Sequence, residues 1–127
     1  MRIALVLEDD YATRRAIAEL LLRDGYGVCE GFQADPIPFV PALDVIVTDV
    51  VMRPEIEAVR LWARSMTERF GVPVVLVTGR SEFVSAGPSE LGVADVVAKP
   101  FDITDLLRRV RRVVDSGHVV PGALAWN

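Results

Sequence analysis

The chain has 127 residues, 51% of them hydrophobic and 25% charged, with 14 Lys and Arg against 18 Asp and Glu for a formal net charge of −4. That fits one core-forming domain and excludes a disordered chain, while a single cysteine, Cys29, excludes an internal disulfide framework or a zinc site built on several thiolates. The acidic balance argues against nucleic-acid binding, and no apolar run approaches the roughly 20 residues of a membrane span or a secretory h-region, so the expectation is a cytoplasmic protein with neither nucleic acid nor membrane as partner.

In chain order, the first element is a strand at Ile3–Leu7, apolar and continuous, running into Glu8-Asp9-Asp10. A helix over 12–24 follows, with Ala16, Ile17, Leu20 and Leu21 on one stripe and Gly25 as its stop. A weaker strand is read at 27–30. The stretch 31–43 carries Pro36, Pro38 and Pro41, so no regular helix can run through it. A strand at Val45–Thr48 delivers Asp49. The next helix spans 55–70, with Val59, Trp62, Ala63, Met66 and Phe70 on its inner stripe, Gly71 as its stop and Pro73 beyond. A strand at 74–77 leads into Thr78-Gly79. Any helix starting at Ser81 should stop before Pro88, because Gly87-Pro88 interrupts it. A strand at 96–98 ends in Lys99-Pro100. The last helix, Ile103–Asp115, buries Leu106, Val110 and Val113, with Asp102 as N-cap and Asp105 three residues on.

Short strands rich in β-branched residues and continuous in hydrophobicity are buried on both faces, and parallel neighbours need crossover helices. The expected fold is therefore α/β: a doubly wound, five-stranded parallel sheet flanked by helices on both faces, with short or irregular second and fourth crossovers. One domain is assigned to 1–115, with a tail over 116–127 and no output domain.

In such a sheet, ligands bind outside the carboxyl ends of the strands. Those ends deliver Glu8, Asp9 and Asp10, then Asp49, then Thr78, then Lys99. Each alone has a plainer reading, as a helix cap, a turn residue or a solvated cation. Together, carboxylates held about 4 Å apart repel by about 4 kcal/mol per pair at an effective dielectric of 20, so the cluster calls for a cation. Oxygen ligands select a hard ion, with Mg2+ the default. A carboxylate beside Mg2+, opposite a hydroxyl and an ammonium, suits in-line phosphoryl transfer with the carboxylate as nucleophile.

These residues resemble the receiver domain of two-component response regulators (CheY-like). The matching segments are Val6-Leu7-Glu8-Asp9-Asp10, the run from Asp44 to Met52 centred on Asp49, the run from Pro73 to Gly79, and Ala94-Asp95-Val96-Val97-Ala98-Lys99-Pro100-Phe101. The resemblance implies that Asp49 is the phosphoacceptor and that Mg2+ is held by Glu8, Asp9, Asp49 and the backbone carbonyl of Val51. It also implies that Thr78 and Lys99 bind the phosphoryl group, and that the Lys99-Pro100 peptide is cis. The implied donor is a histidine kinase or histidine phosphotransfer protein. The implied output is protein contact with an unidentified target, and catalysis is limited to the domain's own phosphorylation and dephosphorylation. The sole histidine, His118, is a poor internal donor.

Some positions depart from that family. Val96 stands where receivers carry a switch aromatic, Glu57 where a glycine commonly opens the third helix, and Met52-Arg53-Pro54 splits the usual Met-Pro. Val51 replaces a frequent polar residue, which implies slow self-dephosphorylation. Two alternatives stand beside the phosphorylatable receiver. One is a receiver-like interaction module that works without phosphorylation. The other is an Mg2+-dependent aspartate phosphatase, which wants an Asp-x-Asp that Glu8-Asp9-Asp10 does not supply. On the last helix, Arg108, Arg111 and Arg112 share a face with Arg109 at its margin, read as a solvated face or a dock for an acidic partner.

Overall fold

Strands apolar along their whole length must be covered on both sides, and the chain supplies that cover. The computed structural model describes residues 1–32, 42–50 and 55–116. Within them, the elements are β1 (Ile3–Leu7), α1 (Tyr11–Arg23), β2 (Gly27–Gly31), β3 (Val45–Thr48), α2 (Ile56–Phe70), β4 (Val74–Thr78), α3 (Ser81–Leu91), β5 (Asp95–Ala98) and α4 (Ile103–Asp115). The sheet is parallel throughout, in the order β2-β1-β3-β4-β5. This is the expected doubly wound fold.

Alternate residues of each strand feed two separate cores. Leu5, Leu7, Ile46 and Leu76 face α2 and α3, where they meet Val59, Trp62, Met66, Phe83 and Leu91. Ala4, Val6, Val45, Val47, Val75 and Val77 face α1 and α4, where they meet Ile17, Leu21, Leu106, Val110 and Val113.

Two helices differ in detail from expectation. The inner stripe of α1 is Arg14, Ile17, Ala18 and Leu21; Ala16 is exposed and Leu20 half-buried. The spacing i, i+3, i+4, i+7 is intact, but an arginine holds its first position, which rotates the stripe away from the purely apolar one. On α2, Phe70 is only half-buried and Thr67 takes a buried place, its hydroxyl donating to the Ala63 carbonyl at 3.0 Å.

The fourth crossover is irregular in a specific way. Gly87 has φ 82 and ψ 168, so α3 is two helical pieces joined at a kink, and the second resumes at Pro88 and runs to Leu91. The helix thus breaks before Pro88, as expected, but continues beyond it, because proline fits the first turn of a new helical piece. In the second crossover, Pro36, Pro38 and Pro41 lie outside the described residues; Phe32 and residues 42–44 on either side are not helical.

On α4 the assigned cap is present: Asp102 Oδ1 accepts the Asp105 N–H at 2.9 Å. Asp10 caps α1 in the same way, accepting the Thr13 N–H at 2.9 Å. Among the described residues no helix is long and apolar enough to cross a membrane.

Candidate functional site

The strand order reverses at β1: the chain leaves it for β2 on one side and returns to β3 on the other. The two connections diverge there and open a crevice at the carboxyl ends of β1 and β3. Glu8 follows β1 and Asp49 follows β3, each in the first position where the strand ladder gives way. The Asp49 N–H still donates to the Leu7 carbonyl at 3.0 Å, and the Glu8 N–H to the Gly31 carbonyl at 3.1 Å. Both residues are therefore held by the ends of the sheet, and both are buried, at 2% and 4% exposure.

Two buried carboxylates side by side need a positive partner, and Lys99 supplies it. Its Nζ donates to Glu8 Oε1 at 2.5 Å and to Asp49 Oδ2 at 2.7 Å. Lys99 is the only lysine in the sequence. It reaches the crevice from the end of β5, where its N–H donates to the Thr78 carbonyl at 2.8 Å and its peptide bond to Pro100 is cis. Partial burial disfavours the ammonium, but its hydrogen bonds to Asp49 and Glu8 outweigh that, and the Lys99 pKa is raised above its ordinary 10.5. The other Asp49 oxygen, Oδ1, accepts the Val50 N–H at 2.6 Å, and Glu8 Oε2 accepts the Asp10 N–H at 3.3 Å.

The remaining rim residues stand around this trio. Thr78, at the end of β4, is buried and its hydroxyl accepts the Arg80 N–H at 3.0 Å. A groove of about 260 Å3 runs past Thr78, Ser81, Val84 and Lys99. A second, of about 440 Å3, lies on the other side of the lysine between Thr13 and Phe101. Asp9 is half-buried beside Glu8. Val51, assigned as a carbonyl ligand, lies outside the described residues, as do Met52, Arg53, Pro54 and His118. Among the described residues no group of three or more His, Cys, Asp or Glu side chains is gathered closely enough to hold a metal ion.

The structure thus brings Glu8, Asp49 and Lys99 into contact and leaves Thr78 next to them with its hydroxyl engaged elsewhere. Val96 is buried in the core shared with α2 and α3. Glu57 lies exposed in the first turn of α2, paired to Arg60 at 2.7 Å. One residue the sequence reading missed is Arg14, whose Nη1 donates to the Glu8 carbonyl at 3.0 Å. The signal was present as an arginine three residues before Ile17 on an otherwise apolar stripe.

A doubly wound parallel sheet whose strand ends join two buried carboxylates to one ammonium defines a class of α/β domain with its polar site at the switch point, and comparison with known proteins narrows it. No protein-family profile matches the chain. It is 35% identical over 114 residues to the DNA-binding transcriptional regulator NtrC of Bradyrhizobium sp. (strain RP501 Parasponia), which covers 87% of this chain and 24% of that one. It is 33% identical over 120 residues to the transcriptional regulatory protein CseB of Streptomyces coelicolor, covering 87% of this chain and 48% of the other. The chain therefore spans between a quarter and a half of these relatives.

In structure it matches a CheY-like response regulator receiver domain from Methanospirillum hungatei, with a TM-score of 0.69, 21% identity, and coverage of 91% and 95% of the two chains. It also matches a Saccharomyces cerevisiae co-crystal structure of the histidine phosphotransfer protein Ypd1 with the receiver domain of the response regulator Ssk1, with a TM-score of 0.67, 13% identity, and coverage of 94% and 93%. The chain is a CheY-like receiver domain of the response-regulator kind, a module of two-component signalling.

Proposed function

We propose that this receiver takes a phosphoryl group onto Asp49 from a phosphohistidine on a separate kinase or phosphotransfer protein, and signals through protein contact. The observation that carries this reading is the Lys99 ammonium held at 2.7 Å from Asp49 Oδ2 and 2.5 Å from Glu8 Oε1. A carboxylate oxygen of Asp49 attacks phosphorus, the phosphorus–nitrogen bond to the donor histidine breaks with its electron pair returning to the imidazole, and an acyl phosphate forms. The ammonium of Lys99 is then beside the new phosphoryl oxygens, where it offsets their charge, and the Thr78 hydroxyl, which accepts from the Arg80 N–H, keeps its own proton to donate at the rim. The phosphotransfer partner of the Ssk1 receiver supports this class of donor.

The chemistry of the donor set suits a divalent cation, with the two buried carboxylates to be completed by the further ligands assigned to the site. Glu8 and Asp49 are hard oxygen donors that converge on one positive charge, and Asp9 lies next in sequence; Mg2+ accepts such ligands while keeping several waters. Glu8, Asp9, Asp49 and the Val51 carbonyl are the residues assigned to hold it. When bound it draws charge from the transferring phosphoryl oxygens.

Intact-mass spectrometry after incubation with acetyl phosphate tests the reading. One added phosphoryl group is expected in the wild type with Mg2+, and none without Mg2+ or in Asp49→Asn. An Asp49→Asn protein that still gains the group would move the acceptor elsewhere. The absence of any adduct would favour a phosphorylation-independent interaction module, a reading that Val96 in place of an aromatic also supports.

A further inference from the structure

The inner stripe of α1 begins with a charged residue. Arg14 is 7% exposed and stands in line with Ile17, Ala18 and Leu21, where an apolar side chain is the ordinary occupant. A guanidinium withdrawn from water is tolerated only when its donors are matched, and a residue kept there against that penalty has work that an aliphatic chain cannot do. Nη1 of Arg14 donates to the Glu8 backbone carbonyl at 3.0 Å, and Nε donates to Glu30 Oε1, on β2, at 3.2 Å. The rings of Phe32 and Tyr11 lie against the guanidinium, with centroids 4.3 and 5.2 Å away.

The consequence falls on Glu8. Its N–H is already committed to the Gly31 carbonyl at 3.1 Å, so with Arg14 on its carbonyl both polar groups of its backbone are tied to surrounding structure. The turn between β1 and α1 is thereby pinned to β2 on one side and to the helix on the other. The Cα–Cβ bond of Glu8 is then held in one direction, from which its carboxylate meets Lys99 in the crevice.

We infer that Arg14 is a positioning residue: through the Glu8 main chain it aims the Glu8 carboxylate at Lys99 and, resting on the phosphoacceptor reading above, at the Mg2+ site. The fork geometry matters, not the charge alone. A lysine at this position keeps the positive charge but cannot hold the Glu8 carbonyl and Glu30 through two separate rigid N–H groups.

The test uses Arg14→Met, which fills the stripe with an apolar chain, and Arg14→Lys, which keeps the charge. Because Lys99 is the only lysine, protein labelled with 13C at the lysine Cε alone gives a single side-chain resonance that reads the Glu8–Lys99 contact directly in the metal-free state. Both variants are expected to move that resonance, to weaken Mg2+ binding by about tenfold in calorimetry, and to leave the helical circular dichroism intact. A Lys99 resonance at its wild-type position in both variants overturns the inference and leaves Arg14 a packing residue. If Arg14→Met does not fold, Arg14→Lys decides alone. If the wild type takes up no Mg2+, the phosphoacceptor reading fails, and the Lys99 resonance still upholds or overturns the positioning role.

Discussion

Lys99 carries the strongest electrostatic consequence of any single residue. Its pKa is raised above 10.5, partial burial being outweighed by the hydrogen bonds it donates to Asp49 and Glu8. A base raised on folding contributes stability that is fully present below its unfolded value and is lost as pH climbs through the higher folded value. The fold is therefore expected to weaken in alkali, above 10.5 and not at neutral pH. Burial raises the Tyr26 phenol above its ordinary 10.0 as well, and that group loses stability in the same direction. The informative quantity is consequently the difference in urea midpoint between wild type and Lys99→Met across that range: it should narrow as pH rises, because the wild type alone loses the lysine's contribution. The trio itself was legible in the sequence, since each member sits at a strand end. Its partner Arg14 left only a faint signal, an arginine in line with an apolar stripe, which reads as a surface residue until the neighbouring carbonyl is seen.

At the scale of the element, α4 and α3 behave differently. The arginines of α4 lie on a solvated face, as one reading expected, but form no free basic patch. Arg108 and Arg109 pair with Asp105, Arg109 and Arg112 with Asp95 at the start of β5, and Arg111 Nε with Asp24 at 2.9 Å across to the end of α1. Most of the charge on this face is offset, by a carboxylate from the helix's own first turn and by two from elsewhere in the chain, so its attraction for an acidic partner is much reduced. The pairs with Asp105 follow from i, i+3 and i, i+4 spacing, but helix periodicity does not show Asp95 and Asp24 brought opposite. In α3 the break at Gly87 was legible, but not the resumption after it. A backbone at φ 82 and ψ 168 belongs to glycine alone, so Gly87→Ala is expected to destabilise the protein by about 1–3 kcal/mol in chemical denaturation. Loss of that order would locate the cost in the kink, since no atom lies within 4 Å of the Cβ it would add.

For the whole molecule, the division of the sheet into two cores decides where damage is felt. Leu76 is fully buried between α2 and α3 and paired in the sheet with Thr48, one residue before Asp49. Leu76→Ala should cost about 2–5 kcal/mol by urea denaturation, the range for a large core residue whose cavity closes only in part. Exposed ion pairs such as Arg64 with Glu68 add little at this scale, because solvent screens them and their long side chains lose freedom in pairing.

Local order was written into the chain. The continuous apolar runs mark all five strands within a residue or two, Asp102 and Gly71 mark helix ends, and the order Glu8, Asp49, Thr78, Lys99 at successive strand ends announces one rim, because a parallel sheet delivers every strand's carboxyl end to the same side. Tertiary structure decided what periodicity and spacing do not contain: which distant charges meet. Lys99 and Glu8 stand 91 positions apart, and Arg111 and Asp24 stand 87 apart. Only the crossing of the strands and the packing of α1 beside α4 bring them within hydrogen-bond reach, and only there does Arg14 acquire a carbonyl to hold.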